Sequence, residues 1–229
     1  MSADGYIDDA SGHGLELSDA ADWDRVDELR ASSDAIMVGA GTIRADNPRL
    51  LVKSGGRRER RTAAGLPANP QKVTITGTGD LDPRSLFFTG SPAPPLVYVP
   101  RRAVVRYTAR LSGVATVVPA PAGADRGQVD LSWLLADLGT RGIGRLMVEG
   151  GATVLAQFLA NGLADEFQLA VAPVFVADPG AARLLAGGQP GSSAGRMQLD
   201  GVSQVGDMAV LRYRPAGSDA GREGGGPAA

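Results

Sequence analysis

Residues Leu146 to Leu159 run an apolar strand into Gly150-Gly151 and then into a helix, with Glu149 at the strand's carboxyl end. A helix start presents unpaired backbone N–H groups and a partial positive charge, so a dinucleotide pyrophosphate can sit there when glycine lets the backbone come close. Glu149 would face the same crevice and bring an anionic hydrogen-bond acceptor to it. Taken alone, Gly150-Gly151 fits equally well a tight strand-to-helix connection that binds nothing.

A second site with the same grammar lies upstream. Asp34 to Gly39 is again an apolar strand, and it runs into Gly39-Ala-Gly41-Thr42-Ile-Arg44-Ala-Asp46-Asn47-Pro48-Arg49-Leu50, where polar groups are closely spaced. In open α/β sheets ligands bind beyond the carboxyl ends of the strands, and both motifs lie on that edge if their strands run parallel. Two such crevices in one small fold suggest one ligand between them. The Asp46-Asn47-Pro48 run also reads as a plain turn, since Asn-Pro halts helices and Asp caps them.

Four spaced segments carry a resemblance: Met1-Ser-Ala-Asp4-Gly5, Leu29 to Thr42, Arg44 to Leu50, and Met147-Val-Glu149-Gly150-Gly151, continued through Gly162-Leu163-Ala-Asp165-Glu166 to Ala172-Pro173. In this order the chain resembles the reductase domain of bacterial bifunctional riboflavin-biosynthesis proteins. The likeness covers most of residues 1 to 214.

The resemblance implies the dihydrofolate reductase-like fold, an α/β three-layer sandwich with a mostly parallel central sheet and antiparallel C-terminal strands. It also implies NADPH-dependent reduction of 5-amino-6-(5-phosphoribosylamino)uracil to the ribitylamino compound, and a homodimer. An alternative is reduction of another pterin, pyrimidine or imine, and a third reading is a non-catalytic NADPH-binding dimer. Carried over motif by motif, Gly150, Gly151, Ala152, Thr153, Val154 and Leu155, and on to Gln157, would hold the cofactor phosphates. Thr42 and Asp46 would also contact the cofactor. Arg30, Leu50, Lys53 and Glu149 would contact substrate, with Arg30 and Lys53 able to receive a phosphate monoester and Glu149 able to accept from pyrimidine N–H groups. Glu149 and Asp46 are the candidates to relay a proton.

The chain departs from the family at several positions. Tyr6 stands where the family has Lys or Arg, while Gly14 and Glu16 stand where it has Ser and Trp. Gly77 replaces a serine near the cofactor's adenosine end, leaving Thr76, Thr78 or Arg101-Arg102 to meet a 2′-phosphate. Met1 opens the first motif, so the strand that precedes it in the family is missing from the sheet or lies before this start. The deaminase half, with its zinc signature, has no counterpart here.

The elements that must position these residues alternate between strand and helix, as expected of a largely parallel sheet. Segments 34 to 39, 72 to 76, 95 to 99, 114 to 118 and 144 to 149 read as strands. Ser18 is placed to cap a helix reaching about Ala31, with Trp23, Val26 and Leu29 on a core-facing side. A helix over about 130 to 140 precedes the strand that ends at Glu149, and another begins near Gly151 and buries Val154, Leu155, Phe158 and Leu159. A strand over about 164 to 174 and a hairpin over 202 to 214, turning at Gly206-Asp207, complete the pattern. Ser54 to Pro70 reads as a solvated loop around Arg57-Arg58-Glu59-Arg60-Arg61 or as a phosphate contact, and 178 to 195 as irregular. Residues 1 to 215 form one reductase domain in this reading, and 216 to 229 a disordered tail.

Composition narrows the chemistry. The 229 residues can bury a full core, and 43% hydrophobic content is ordinary for a globular chain. With no cysteine there is no disulfide, thiolate nucleophile or zinc–cysteine site, and a single histidine excludes a His-rich metal centre. A net charge of −2 gives no general attraction to nucleic acid or anionic membrane. No apolar run is long enough to span a membrane and no signal peptide is evident, so a cytoplasmic protein is expected.

Overall fold

The computed structural model describes residues 1–9, 15–77, 81–90, 93–123, 128–184 and 196–216. The expected tail from 217 on, the part of the expected irregular stretch from 185 to 195, Gly14 and Thr78 lie outside these. The chain groups into two compact units: Trp23–Leu155, and Met1–Asp22 together with Ala156–Ala229.

The larger unit is built on five parallel strands: β1 (Ala35–Gly39), β2 (Gln71–Ile75), β3 (Leu96–Pro100), β4 (Thr116–Ala120) and β5 (Leu146–Gly150), in the spatial order β4-β3-β2-β1-β5. Every residue of β1 and β3 is buried, which is why they read in the sequence as unbroken apolar runs: a parallel sheet is covered on both faces. Helices α1 (Ala20–Ala31), α2 (Ala40–Asp46), α3 (Gly55–Ala63), α4 (Leu86–Thr89), α5 (Val104–Arg110), α6 (Leu131–Thr140) and α7 (Ala152–Ala160) connect or flank the strands. Ile36, Val38, Ile43, Leu81, Phe87, Val97, Val99 and Leu111 form the centre of one apolar cluster. The chain starts at β1, moves outward through β2, β3 and β4, then returns to the other side of β1 with β5. The strand order therefore reverses between β1 and β5, the place where open α/β sheets leave a crevice.

The smaller unit holds β6 (Phe167–Val171), β7 (Met197–Val205) and β8 (Met208–Pro215), antiparallel in the order β6-β8-β7. These strands form a sheet of their own. Residues 1 to 3 run beside the segment that follows β6: Ser2 bridges Ala172 in parallel, and the Ala3 N–H donates to the Val174 carbonyl at 2.8 Å. The hairpin turns at Gly206-Asp207 as its sequence predicts, and the Asp207 N–H donates to Asp19 at 3.1 Å.

Three local expectations are corrected. Asp19, not Ser18, caps α1: its Oδ1 accepts from the Asp22 N–H at 2.8 Å, while the Ser18 hydroxyl donates to the Asp22 carboxylate. The loop expected over 54 to 70 contains α3, capped by Ser54 and tied down by its arginines. Arg57 pairs with Asp24, Asp27 and Glu28, and the buried Arg61 donates to the Ala31, Ser33 and Pro67 carbonyls. That run is a structural brace on a helix, not a loop. Trp23, expected in the core, is 40% exposed.

Candidate active site

The two glycine motifs meet at the carboxyl ends of β1 and β5, which pair directly and in parallel. Gly39 closes β1, and a side chain there would strike Val154 of α7: a Cβ would lie 2.8 Å from its Cγ2. Gly151 opens α7, and a Cβ on it would lie 2.8 Å from the Thr42 hydroxyl. Thr42 and Gly151, assigned to the cofactor on separate grounds, thus stand against each other. Gly150 has φ 149°, a conformation open to glycine, and the Gly150–Gly151 peptide is cis. The first-turn N–H groups of α7, on Ala152 and Thr153, have no acceptor within the helix.

Glu149 occupies an irregular position in its strand. Met37 pairs with Val148 and Val38 with Gly150, so Glu149 is the extra residue of a bulge. Bulges re-aim side chains and recur beside active sites. Here the bulged residue meets Arg30, in the last turn of α1: Nε and Nη2 donate to Oε1 and Oε2 at 2.7 and 2.8 Å, a bidentate pair with side chains only 11% and 14% exposed. Burial works against the Arg30 charge, yet its hydrogen bonds and the facing carboxylate of Glu149 hold its pKa above the ordinary arginine value. Among the described residues each carboxylate oxygen accepts one bond from Arg30, short of the capacity of an ionised carboxylate.

Lys53 lies in a segment whose backbone is clamped. Asp27 accepts from the N–H groups of Lys53 and Ser54 at 2.5 and 3.0 Å, and Arg58 donates to the carbonyls of Val52 and Lys53 at 2.9 and 2.7 Å. Asn69 takes the Val52 N–H at 2.9 Å. Burial raises the Asp27 pKa, but those two N–H donors and Arg57 outweigh it and hold the carboxyl below the usual range. The Lys53 ammonium is exposed and sits 4.8 Å from the centre of the Trp23 ring. Leu50 is buried and has φ 47°, an unusual conformation for a branched residue. Asp46 is exposed at the end of α2, where Asn47 in the left-handed conformation caps the helix and accepts from the Leu86 N–H at 2.6 Å. The plain-turn reading of this run thus describes its backbone well.

The structure therefore brings together Thr42 with Gly151, and Arg30 with Glu149, around the β1–β5 switch point. It gives the Arg30 fork to Glu149, which leaves Lys53 the more accessible of the two cations expected to meet substrate. Thr76 is buried, whereas Arg101 and Arg102 are exposed just beyond β3. The sequence reading missed Trp23 and Asp27 as site-shaping residues. Their spacing with Arg30, at i, i+4 and i+7 on α1, was the available signal.

Comparison with known proteins now places this geometry. The model of the RibD C-terminal domain family matches residues 1–211. The 2,5-diamino-6-ribosylamino-4(3H)-pyrimidinone 5′-phosphate reductase of Archaeoglobus fulgidus is 41% identical over 175 residues, covering 76% of this chain and 78% of that protein. The enzyme of the same name from Methanothermobacter thermautotrophicus is 35% identical and covers 95% of each. Among solved structures, a pyrimidine reductase-like protein from Corynebacterium diphtheriae superposes with a TM-score of 0.73 at 25% identity, covering 93% of this chain and 88% of that one. A parallel sheet with a glycine crevice at its switch point, a bulged glutamate held by arginine, and a match along nearly the whole chain lead to one conclusion: the protein belongs to the RibD C-terminal domain family, the reductases of riboflavin biosynthesis.

Proposed function

We propose that this protein reduces the ribosylamino side chain of a pyrimidine 5′-phosphate to the ribitylamino chain, using NADPH. The observation that carries this reading is the convergence of Thr42, Gly151 and the Arg30–Glu149 pair on the β1–β5 crevice. In this reading Gly150 and Gly151, with the first turn of α7 from Ala152 to Leu155, hold the cofactor's pyrophosphate, and Thr42 and Asp46 line the same site. Arg101 and Arg102 are suited to a 2′-phosphate, because they are exposed beyond the carboxyl end of the third strand. When bound, the dihydronicotinamide supplies the hydride.

The chain's own residues bind, orient and protonate. Hydride addition at C1′ of the ring-opened imine must be matched by a proton on the adjoining nitrogen, and Asp46 and Glu149 are the carboxyl groups proposed to relay it. Arg30 fixes Glu149 so that its remaining lone pairs meet pyrimidine N–H groups, and Lys53 receives the 5′-phosphate. Leu50 lines the segment between them. The reading includes a homodimer and a cytoplasmic setting, where a biosynthetic reductase draws on the nicotinamide pool.

Two pyrimidines are the candidate substrates, 5-amino-6-(5-phosphoribosylamino)uracil and its 2-amino counterpart. The second is favoured by one specific observation: the Archaeoglobus and Methanothermobacter relatives are named for it. Following NADPH absorbance with each compound decides between them. Glu149→Gln should bind NADPH as the wild type does and lose at least about tenfold in turnover, because the amide replaces an anionic acceptor and breaks the charge pairing with Arg30. Unchanged turnover would make Glu149 structural only.

A further inference from the structure

Helix α1 presents Trp23, Asp27 and Arg30 on one stripe, and each holds a different part of the proposed substrate site. Arg30 holds Glu149, Asp27 holds the backbone of Lys53 and Ser54, and Trp23 lies beneath the Lys53 ammonium at 4.8 Å. With the Lys53 N–H and carbonyl both bonded, the remaining freedom of this residue lies in its four-carbon stem. Trp23 is 40% exposed, so its indole is open to solvent on one side while Lys53 stands over the ring.

We propose that Trp23 is a positioning residue that holds the Lys53 ammonium as the receptor for the substrate's terminal phosphate. The inference rests on the functional reading above and deepens it by naming the residue that sets specificity for the phosphate end. An ammonium over an indole face is attracted by the ring quadrupole while its outer side stays open to an anion. Trp23 and Arg30 are seven residues apart, about 10 Å along a helix axis, so the Lys53 contact and the Glu149 contact are carried by different turns of α1. Asp27, between them, keeps the intervening backbone in register.

The test is binding of ribose 5-phosphate to the full chain by calorimetry, together with steady-state kinetics on the phosphorylated and dephosphorylated pyrimidines. Trp23→Leu should weaken ribose 5-phosphate binding roughly two- to fivefold and raise KM for the phosphorylated pyrimidine by the same factor, with kcat and the dephosphorylated compound unaffected. Trp23→Phe, which keeps a π face, should restore most of the loss. In a Lys53→Met background, Trp23→Leu should have no further effect. Should Trp23→Leu fold poorly, Trp23→Gln carries the same expectation. Wild-type affinity in Trp23→Leu, an equal loss with Lys53→Met present, or no binding of ribose 5-phosphate by the wild type would each overturn the proposal. Binding of ribose 5-phosphate that weakens in both Lys53→Met and Trp23→Leu, without turnover of either pyrimidine, would uphold it and sink the reductase reading instead.

Discussion

At the scale of single residues, Lys72 shows how far the fold overrides side-chain preference. It is 1% exposed on β2, its ammonium donates to the Phe87 carbonyl at 2.9 Å, and burial pushes its pKa down to about 8 from an ordinary value of 10.5. A lysine depressed in the folded state binds its proton more tightly when unfolded. Its charge therefore costs stability in full below about pH 8, and the cost fades as pH rises toward 10.5. Lys72→Met should accordingly raise stability at pH 7 by on the order of 2 kcal/mol, less the loss of the bond to Phe87. Urea unfolding at pH 7 and pH 10 checks this: the gain should shrink at the higher pH, and a constant gain would show that packing, not charge, is responsible. The gathering of Glu149, Gly151 and Thr42 near the carboxyl ends of β1 and β5 was legible from the two glycine motifs. The Arg30–Glu149 pair was not, because 119 residues separate its members and only the bulge in β5 turns one toward the other.

Among the elements, fully buried parallel strands were readable as apolar runs, and all five of that sheet lie within two residues of their expected positions. The α3 helix escaped notice for the opposite reason. Gly55-Gly56-Arg57-Arg58-Glu59-Arg60-Arg61 offers no apolar stripe, and its helix is held by tertiary pairs from Arg57 and Arg60 to carboxylates of α1, which no local pattern encodes. The strand–Gly-Gly–helix junction at β5 and α7 makes a prediction at this scale. Gly151→Val should weaken NADPH binding at least roughly tenfold, since its Cβ collides with Thr42 and its branches fill the surface proposed for the pyrophosphate. Calorimetry giving wild-type affinity for this variant would remove the junction from the cofactor site.

At the scale of the whole molecule, the proposed homodimer needs a face on which two copies pair. On the antiparallel sheet Met208 and Val210 are buried on the central strand β8, while Leu199 and Val202 are exposed on the edge strand β7. Exposed edge strands call for cover. Light scattering at micromolar concentration should give twice the 23.5 kDa chain mass, and a Val202→Lys variant should shift it toward the single chain. A wild-type mass of one chain would exclude the dimer. The central claim, hydride delivery to C1′ of a ribosylamino pyrimidine phosphate, is tested most directly with NADPH deuterated at the transferable C4 position. The account predicts a ribitylamino product carrying one deuterium at C1′, formed in step with NADPH oxidation; NADPH oxidation without label at C1′, or no oxidation with either pyrimidine, would contradict it.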